Sequence, residues 1–363
     1  MLIRIQERMT NRMKHKLVST LLAITLLCSG AAVMQAGVVP SEDETLTVVE
    51  SLSNYSLGSM SWGVKKMGLD KLQKKLEASA EELPEVRVAV IDTGVTTTNK
   101  YLEGRLTDDG YNFYDNNSDV SDAQFHGTVV AGIIADGTTS NVKLLPLKVS
   151  GKDGTGPLKN TREAIYYAIE HGADVINLSL SANDPKHSIT TLDDAIAAAQ
   201  EKGIVVIAAA GNQSGDVADR YPANKDNVMV IGATRPSNRI SSYSNTGATV
   251  DFALPGIGIL SPARNSVRVS AGTSMAAPHA AAAAALLKTW NKDLNQEQIE
   301  EILKEYAVDL GDEGYDETYG WGMIDLSNFK VSEEETPTPK TCFLKELSTL
   351  IKNRIKTRFG SVK

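Results

Sequence analysis

The sequence predicts an α/β fold in three layers, with a mostly parallel central sheet and helices on both faces. Short uninterrupted apolar runs recur from Val86 onward: VRVAVID, VKLLPLKV, ADVINLSL, IVVIAAA and VMVIGA. Stretches with helical spacing separate them. A strand that is apolar all round needs cover on both faces, and β–α–β crossovers supply that cover while making neighbouring strands parallel. The polar interruptions are as informative as the runs. Asp92, Ser179 and Asn212 fall toward or just past the carboxyl ends of three of them, which is where open α/β sheets build their sites.

The elements follow in order. LDKLQKKLEASAEELP has apolar residues at helical spacing and ends at Pro84, ahead of the first strand. The crossover and flanking helices are HGTVVAGIIA, TREAIYYAIEHG, TLDDAIAAAQEKG, SMAAPHAAAAAALLKTW and NQEQIEEILKEYA. Asn295 with Gln298 three residues later reads as a helix start, and Gly203 after Lys202 as a stop. There is no internal repeat, and one catalytic domain is expected over residues 61–330.

Composition sets bounds on partners. A chain of 363 residues with 42% apolar and 23% charged residues has room for one large domain plus appendages. Its formal charge of -8 is unevenly spread. Residues 1–36 carry five Lys/Arg and one Glu, and residues 340–363 carry seven and one, which leaves 25 basic against 43 acidic residues between them. A body near -18 argues against nucleic acid as a partner. A monomer is expected.

Both ends read as appendages. Lys14 and Lys16 precede LVSTLLAITLLCSGAAVMQA, the layout of a secretory signal, so residues 1–36 are assigned as a signal peptide or N-terminal anchor. Cleavage after Ala31, Ala32 or Ala36 fits the small-residue rule. Loss of Cys28 with the signal leaves Cys342 alone, unable to form an internal disulfide. Residues 37–60 are polar and aperiodic, a linker or short pro-segment. From 331 to 363 an acidic, proline-containing spacer leads to a basic tail in which Phe343, Leu347, Leu350, Ile351, Ile355 and Phe359 recur at helical spacing. Such a cationic amphipathic helix suits a membrane surface, and docking on the acidic body is the alternative. The expected location is secreted or cell-surface.

Three motifs carry the chemistry: Asp92 in VAVIDTG, His126 in HGTVVAG and Ser274 in GTSMAAPHAAAAAALL. Together they offer a nucleophile, a general base and a group to orient that base. The Asp, His, Ser order is one of three unrelated orders in which such triads occur. With AAAGN, which ends in Asn212, these motifs resemble the subtilisin family (subtilases) of serine endopeptidases over about Trp62 to Ile324.

The resemblance implies a subtilisin-like fold and peptide hydrolysis through an acyl-enzyme. It implies an oxyanion site from Asn212 and the Ser274 N–H. It also implies a substrate cleft with Gly154 and Gly156 on one wall, Ser179, Leu180 and Ser181 on the other, and Gly211 beside Asn212. An extended peptide would lie between the walls as an added strand. Polypeptide is the expected partner and no cofactor is expected.

Two departures from the family pattern bear on metal. Tyr101 stands where an acidic calcium ligand is usual, and ADGTTSN shortens the calcium loop, so no metal site is assigned; Asp251 is read as a solvated surface carboxylate, with a weaker cation site as the alternative. The resemblance implies that Arg220, just before Tyr221-Pro222, helps form the base of the pocket for the side chain on the acyl side of the scissile bond. It predicts cleavage after Glu or Asp, with Glu42, Glu44 and Glu50 as candidate self-processing sites. A one-residue slip would put Asp219 there and reverse the preference, and an Arg220 pointing into solvent would set none. The short chain, absent pro-domain and shortened loop place it nearer the leader-peptide processing proteases of bacteriocin systems than digestive enzymes. A non-catalytic protein of the same fold would fail to react with a fluorophosphonate probe, and an esterase would cleave small esters but not peptides.

Overall fold

The predicted strands assemble into a seven-stranded sheet in which every neighbouring pair is parallel, in a computed structural model that describes residues 33–36, 61–263 and 266–331. The signal segment before residue 33, residues 37–60 and the tail beyond Val331 lie outside the described residues, and with them Cys28, Cys342, Glu42, Glu44 and Glu50. Across the sheet the order is β11 (Phe252–Pro255), β10 (Met229–Thr234), β8 (Val205–Ala209), β6 (Val175–Leu178), β2 (Val86–Asp92), β4 (Val142–Lys148) and β3 (Tyr111–Asn112). The five interior strands are the five apolar runs. Neither edge strand stands out in the sequence. β3 has two residues, and β11 ends at Pro255, which cannot donate to a ladder and is tolerated at an edge.

Alternation along the strands sorts side chains into two cores. Val86, Val88 and Val90 face one, with α3 (His126–Asp136) and α6 (Thr273–Trp290). Ala89 and Ile91 face the other, with α4 (Leu158–Glu170) and α5 (Asp193–Glu201). Successive side chains of a strand point to opposite faces, so this partition is the three-layer arrangement itself. Packed on the first face are α1 (Trp62–Lys66), α2 (Leu69–Ser79) and α7 (Gln296–Glu305). The α7 start is the predicted capping box: Asn295 accepts from the Gln298 N–H at 2.9 Å, and the Gln298 side chain accepts from the Asn295 N–H at 2.9 Å.

The run ADVINLSL is divided, against its reading as one strand. β6 stops at Leu178, and after Ser179 the chain leaves the central sheet as β7 (Leu180–Asn183), which pairs elsewhere. Asp251 also differs from its reading. It is partly buried, accepts the Val230 N–H at 2.7 Å, and burial pushes its pKa up to about 7 despite that bond.

His279, fully buried in α6, moves the other way. Burial pulls its pKa down to about 4, although the bond to the Met275 carbonyl favours the charged form. The unfolded chain therefore takes up a proton at His279 below about 6.5 that the folded chain refuses until about 4, and stability is lost across that window on acidification. Asp251 opposes this, because the folded state binds its proton from about 7 downward. The expected result is a Tm that falls less steeply between pH 6.5 and 4 in His279→Gln and more steeply in Asp251→Asn. Parallel curves for all three proteins by calorimetry would contradict it.

Candidate active site

β2 ends on Asp92 and α3 begins on His126, and the two meet. His126 Nδ1 lies 2.7 Å from Asp92 Oδ1, with both side chains fully buried. Such a short contact in a dry site suits a carboxylate holding one tautomer of an imidazole. The turn into α3 is tight: Phe125 has φ 103°, a conformation that costs a β-carbon residue on the order of 1–3 kcal/mol. The Arg268 guanidinium lies over the Phe125 ring, 4.0 Å from its centroid. Arg268 belongs to the hairpin of β12 (Ile259–Ala263) and β13 (Ser266–Ser270), which runs on into α6 and so ties the His126 turn to the segment carrying Ser274.

Ser274 is the second residue of α6 and 2% exposed. Pro278 follows four residues later, so the Ser274 carbonyl has no intrahelical donor. Ser179 supplies one: its hydroxyl donates to the Ser274 carbonyl at 3.0 Å and is itself fixed by Asn177 Nδ2 at 2.9 Å. The Ser274 hydroxyl donates back to the Ser179 carbonyl at 3.1 Å. The break after β6 thus has a cause, since Ser179 is bonded to α6 at both its backbone and its side chain.

Asn212 lies on the loop after β8. Its side-chain oxygen accepts from the Thr273 N–H at 2.8 Å and the Thr273 hydroxyl at 3.0 Å. Those two bonds fix the carboxamide at the N-terminus of α6, with its NH2 end turned away from Thr273. The Ser274 N–H belongs to the same first turn, where backbone donors have no acceptor within the helix. Gly211 has φ +97°, and a Cβ there would sit 2.6 Å from Asn245 Nδ2, so the loop requires glycine twice over.

Gly154 and Gly156 flank Thr155 at the start of β5 (Thr155–Pro157), across a groove from Leu180 and Ser181. Between these walls lies a strand of the chain itself, β1 (Val33–Ala36). It pairs antiparallel with β5, Met34 opposite Gly156, and antiparallel with β7, Gln35 opposite Ser181 and Ala36 opposite Leu180. A Cβ at Gly156 would come within 2.1 Å of the Val149 carbonyl, so this wall follows its course only with glycine.

Arg220 opens β9 (Arg220–Tyr221), which pairs with β7 beside this groove. Its Cγ would lie 3.3 Å from a Cβ on Gly211, which places its stem against the Asn212 loop. Burial lowers its pKa, with Asp219 acting in the other direction, and its Nε is buried with no hydrogen-bond partner among the described residues. The Asp219 side chain is 49% exposed and lies 3.9 Å from His187.

The structure therefore pairs Asp92 with His126, bonds Ser274 to Ser179 and Thr273 to Asn212, and sets the strand ends carrying Asp92 and Ser179 side by side through the Val90–Asn177 register, while Gly154 and Gly156 face Leu180 and Ser181 across the groove and Arg220 lies against Gly211. Sequence reasoning missed Thr273, Thr93 and Asp122, although the first two adjoin Ser274 and Asp92 and the third stands four residues before His126. Among the described residues no group of three or more His, Cys, Asp or Glu could hold a metal ion.

A seven-stranded parallel sheet with Asp92 and His126 paired at its carboxyl edge defines a fold class whose relatives include serine proteinases. The chain belongs to the subtilase family: the Subtilase family model matches residues 84–322. A thermophilic serine proteinase of Bacillus sp. (strain AK1) is 39% identical over 64% of this chain and 59% of its own length. Subtilisin BL of Lederbergia lenta is 35% identical over 73% of the chain and 97% of its own. The chain spans only 29% of the cell wall-associated protease of Bacillus subtilis (strain 168), at 37% identity. Among solved structures, a cold adapted subtilisin-like serine proteinase superposes with TM-score 0.61 at 31% identity, covering 67% of this chain and 89% of that one. A lanthipeptide protease gives 0.63 at 25%, covering 74% and 97%.

Proposed function

We propose that the chain is a processing endopeptidase that binds polypeptide as an added strand and cleaves it after Glu or Asp. Ser274 attacks the scissile carbonyl as His126 takes its proton, and His126 then protonates the departing amine. For this the hydroxyl leaves the Ser179 carbonyl for the imidazole. Asp92 holds the tautomer and stabilises the imidazolium. Asn212 and the Ser274 N–H receive the oxyanion, and water then releases the acyl group by the same steps in reverse.

The observation that carries substrate binding is β1. A four-residue stretch of ordinary polypeptide completes a sheet across the groove through main-chain bonds, which is how an extended substrate would be held whatever its side chains. The acidic preference rests on Arg220, half-buried at the Asn212 loop with an unmatched donor. A carboxylate entering beside it would be met by a fork of N–H groups, and a Lys or Arg by like charge. Leader-peptide processing is the narrower reading, supported by the likeness to a lanthipeptide protease, and an extracytoplasmic location by the cell wall-associated relative.

Matched peptides ending in Glu, Arg, Leu or Phe on the acyl side test this directly. The expected result is the highest kcat/KM for Glu, by at least tenfold over Arg, with that preference lost in Arg220→Gly. An apolar preference unchanged by Arg220→Gly would refute it.

A further inference from the structure

Lys148 is the last residue of β4, directly beside Asp92 in the parallel register, and only 5% of it is exposed. An ammonium in such a place is costly unless its hydrogens are bonded and opposite charge is close. Its Nζ donates to the Thr93 carbonyl at 2.5 Å. Burial draws its pKa below the usual lysine value, while Asp122, Asp115, Asp119 and Asp92 all favour its charged form.

Thr93, the residue after Asp92, is bonded through every polar group it has. Its N–H donates to Asp92 Oδ1 at 2.7 Å, the same oxygen that faces His126 Nδ1. Its hydroxyl donates to Asp122 Oδ1 at 2.9 Å and accepts the Gly127 N–H at 2.9 Å. Asp122, 7% exposed, also accepts the N–H groups of Gln124 at 2.9 Å and Phe125 at 2.7 Å. Its second oxygen accepts the Thr128 N–H at 2.9 Å and the Thr128 hydroxyl at 2.6 Å. One carboxylate thus takes up orphan donors around the first turn of α3 and anchors that turn to the end of β2.

We propose that Lys148, Thr93 and Asp122 are a positioning network for the Asp92–His126 pair, in which Lys148 is the buried countercharge to the carboxylates of Asp92 and Asp122. The proposal rests on the reading of His126 as base and Asp92 as its orienter. Two buried carboxylates close together repel. A lysine bonded to the residue between them offsets that repulsion and leaves their hydrogen bonds in place.

The same charges act on His126 with opposite sign. The imidazole gains a proton in the reaction, a nearby cation opposes that gain and a nearby anion favours it. Asp92 on β2 faces the imidazole directly, and the charges that act on Lys148 are Asp92, Asp122 on the turn before α3, and Asp115 and Asp119 on the loop after β3.

The test is the pH profile of kcat/KM for a single peptide substrate. Lys148→Met is expected to move the acid limb to higher pH, and Asp122→Asn to lower pH. Each shift should be about one unit, the order given by one charge at roughly 10 Å in an effective dielectric of about 20. Lys148→Arg should leave the limb in place, and KM should stay near the wild-type value throughout. A merely structural role predicts a lower kcat with unmoved limbs. Limbs that coincide with wild type, or that move in the same direction in both variants, overturn the proposal. If Lys148→Met fails to fold, Asp122→Asn decides by itself. Loss of the acid limb in His126→Gln with activity retained would instead sink the reading of His126 as base.

Discussion

Ser274→Ala, His126→Ala and Asp92→Asn are each expected to abolish nearly all peptide cleavage, with the triple variant little worse than Ser274→Ala alone. On the proposed mechanism the three act as a unit: without the nucleophile there is nothing for the base to activate, and without the base the hydroxyl is a weak nucleophile. The expected fall in kcat for the serine or histidine is about 10⁶, the scale known for subtilisin, and smaller for the aspartate. The residue of activity comes from the oxyanion donors and from binding. Circular dichroism should show the variants folded, because Ser274 keeps its place through backbone bonds in α6. Burst kinetics with an activated ester would follow acyl-enzyme formation in wild type. Substantial turnover by Ser274→Ala, free of contaminating protease, would end the mechanism.

Asn212→Ala is expected to lower kcat by about 10² to 10³ with KM almost unchanged, a range known for the corresponding donor of subtilisin. The split between the two constants is the informative part. An oxyanion donor meets a charge that exists only in the transition state, so its loss should leave ground-state binding alone. Thr273→Val is the companion. It removes the hydroxyl that orients the Asn212 oxygen but leaves the Thr273 N–H bond, so a smaller fall in kcat, about tenfold, is expected. Equal kcat for Asn212→Ala and wild type would reduce Asn212 to a helix cap.

The acidic preference and the charge network are independent of these two results in different degrees. Arg220 can fail as a specificity residue while the triad stands, because it lies beside the groove and touches neither Asp92 nor His126. The Lys148 proposal cannot outlive His126 as base.

The family and the parallel sheet were legible in the sequence alone, which also offered the candidate triad. Uninterrupted apolar runs such as VRVAVID have a single economical placement, in the middle of a covered sheet, and the motifs around Asp92, His126 and Ser274 are contiguous stretches whose neighbours are set by local geometry. The capping box at Asn295 was legible for the same reason, whereas the helix expected to run to Pro84 ends at Ser79, where Ala80 is already extended. Tertiary structure decided what depends on contacts between distant segments. ADVINLSL reads as one strand, and only the bonds from Ser179 to α6 divide it. Asp251 looks like any surface carboxylate until β10 and α7 close over it. The side on which Arg220 lies was open to a one-residue slip, because exposure of Asp219 and burial of its neighbour follow from pairing with β7 and not from local pattern. Lys148 is the clearest case. A lysine inside an apolar run carries no sign of its partner, and only the parallel register that sets it beside Asp92 gives the buried charge something to balance.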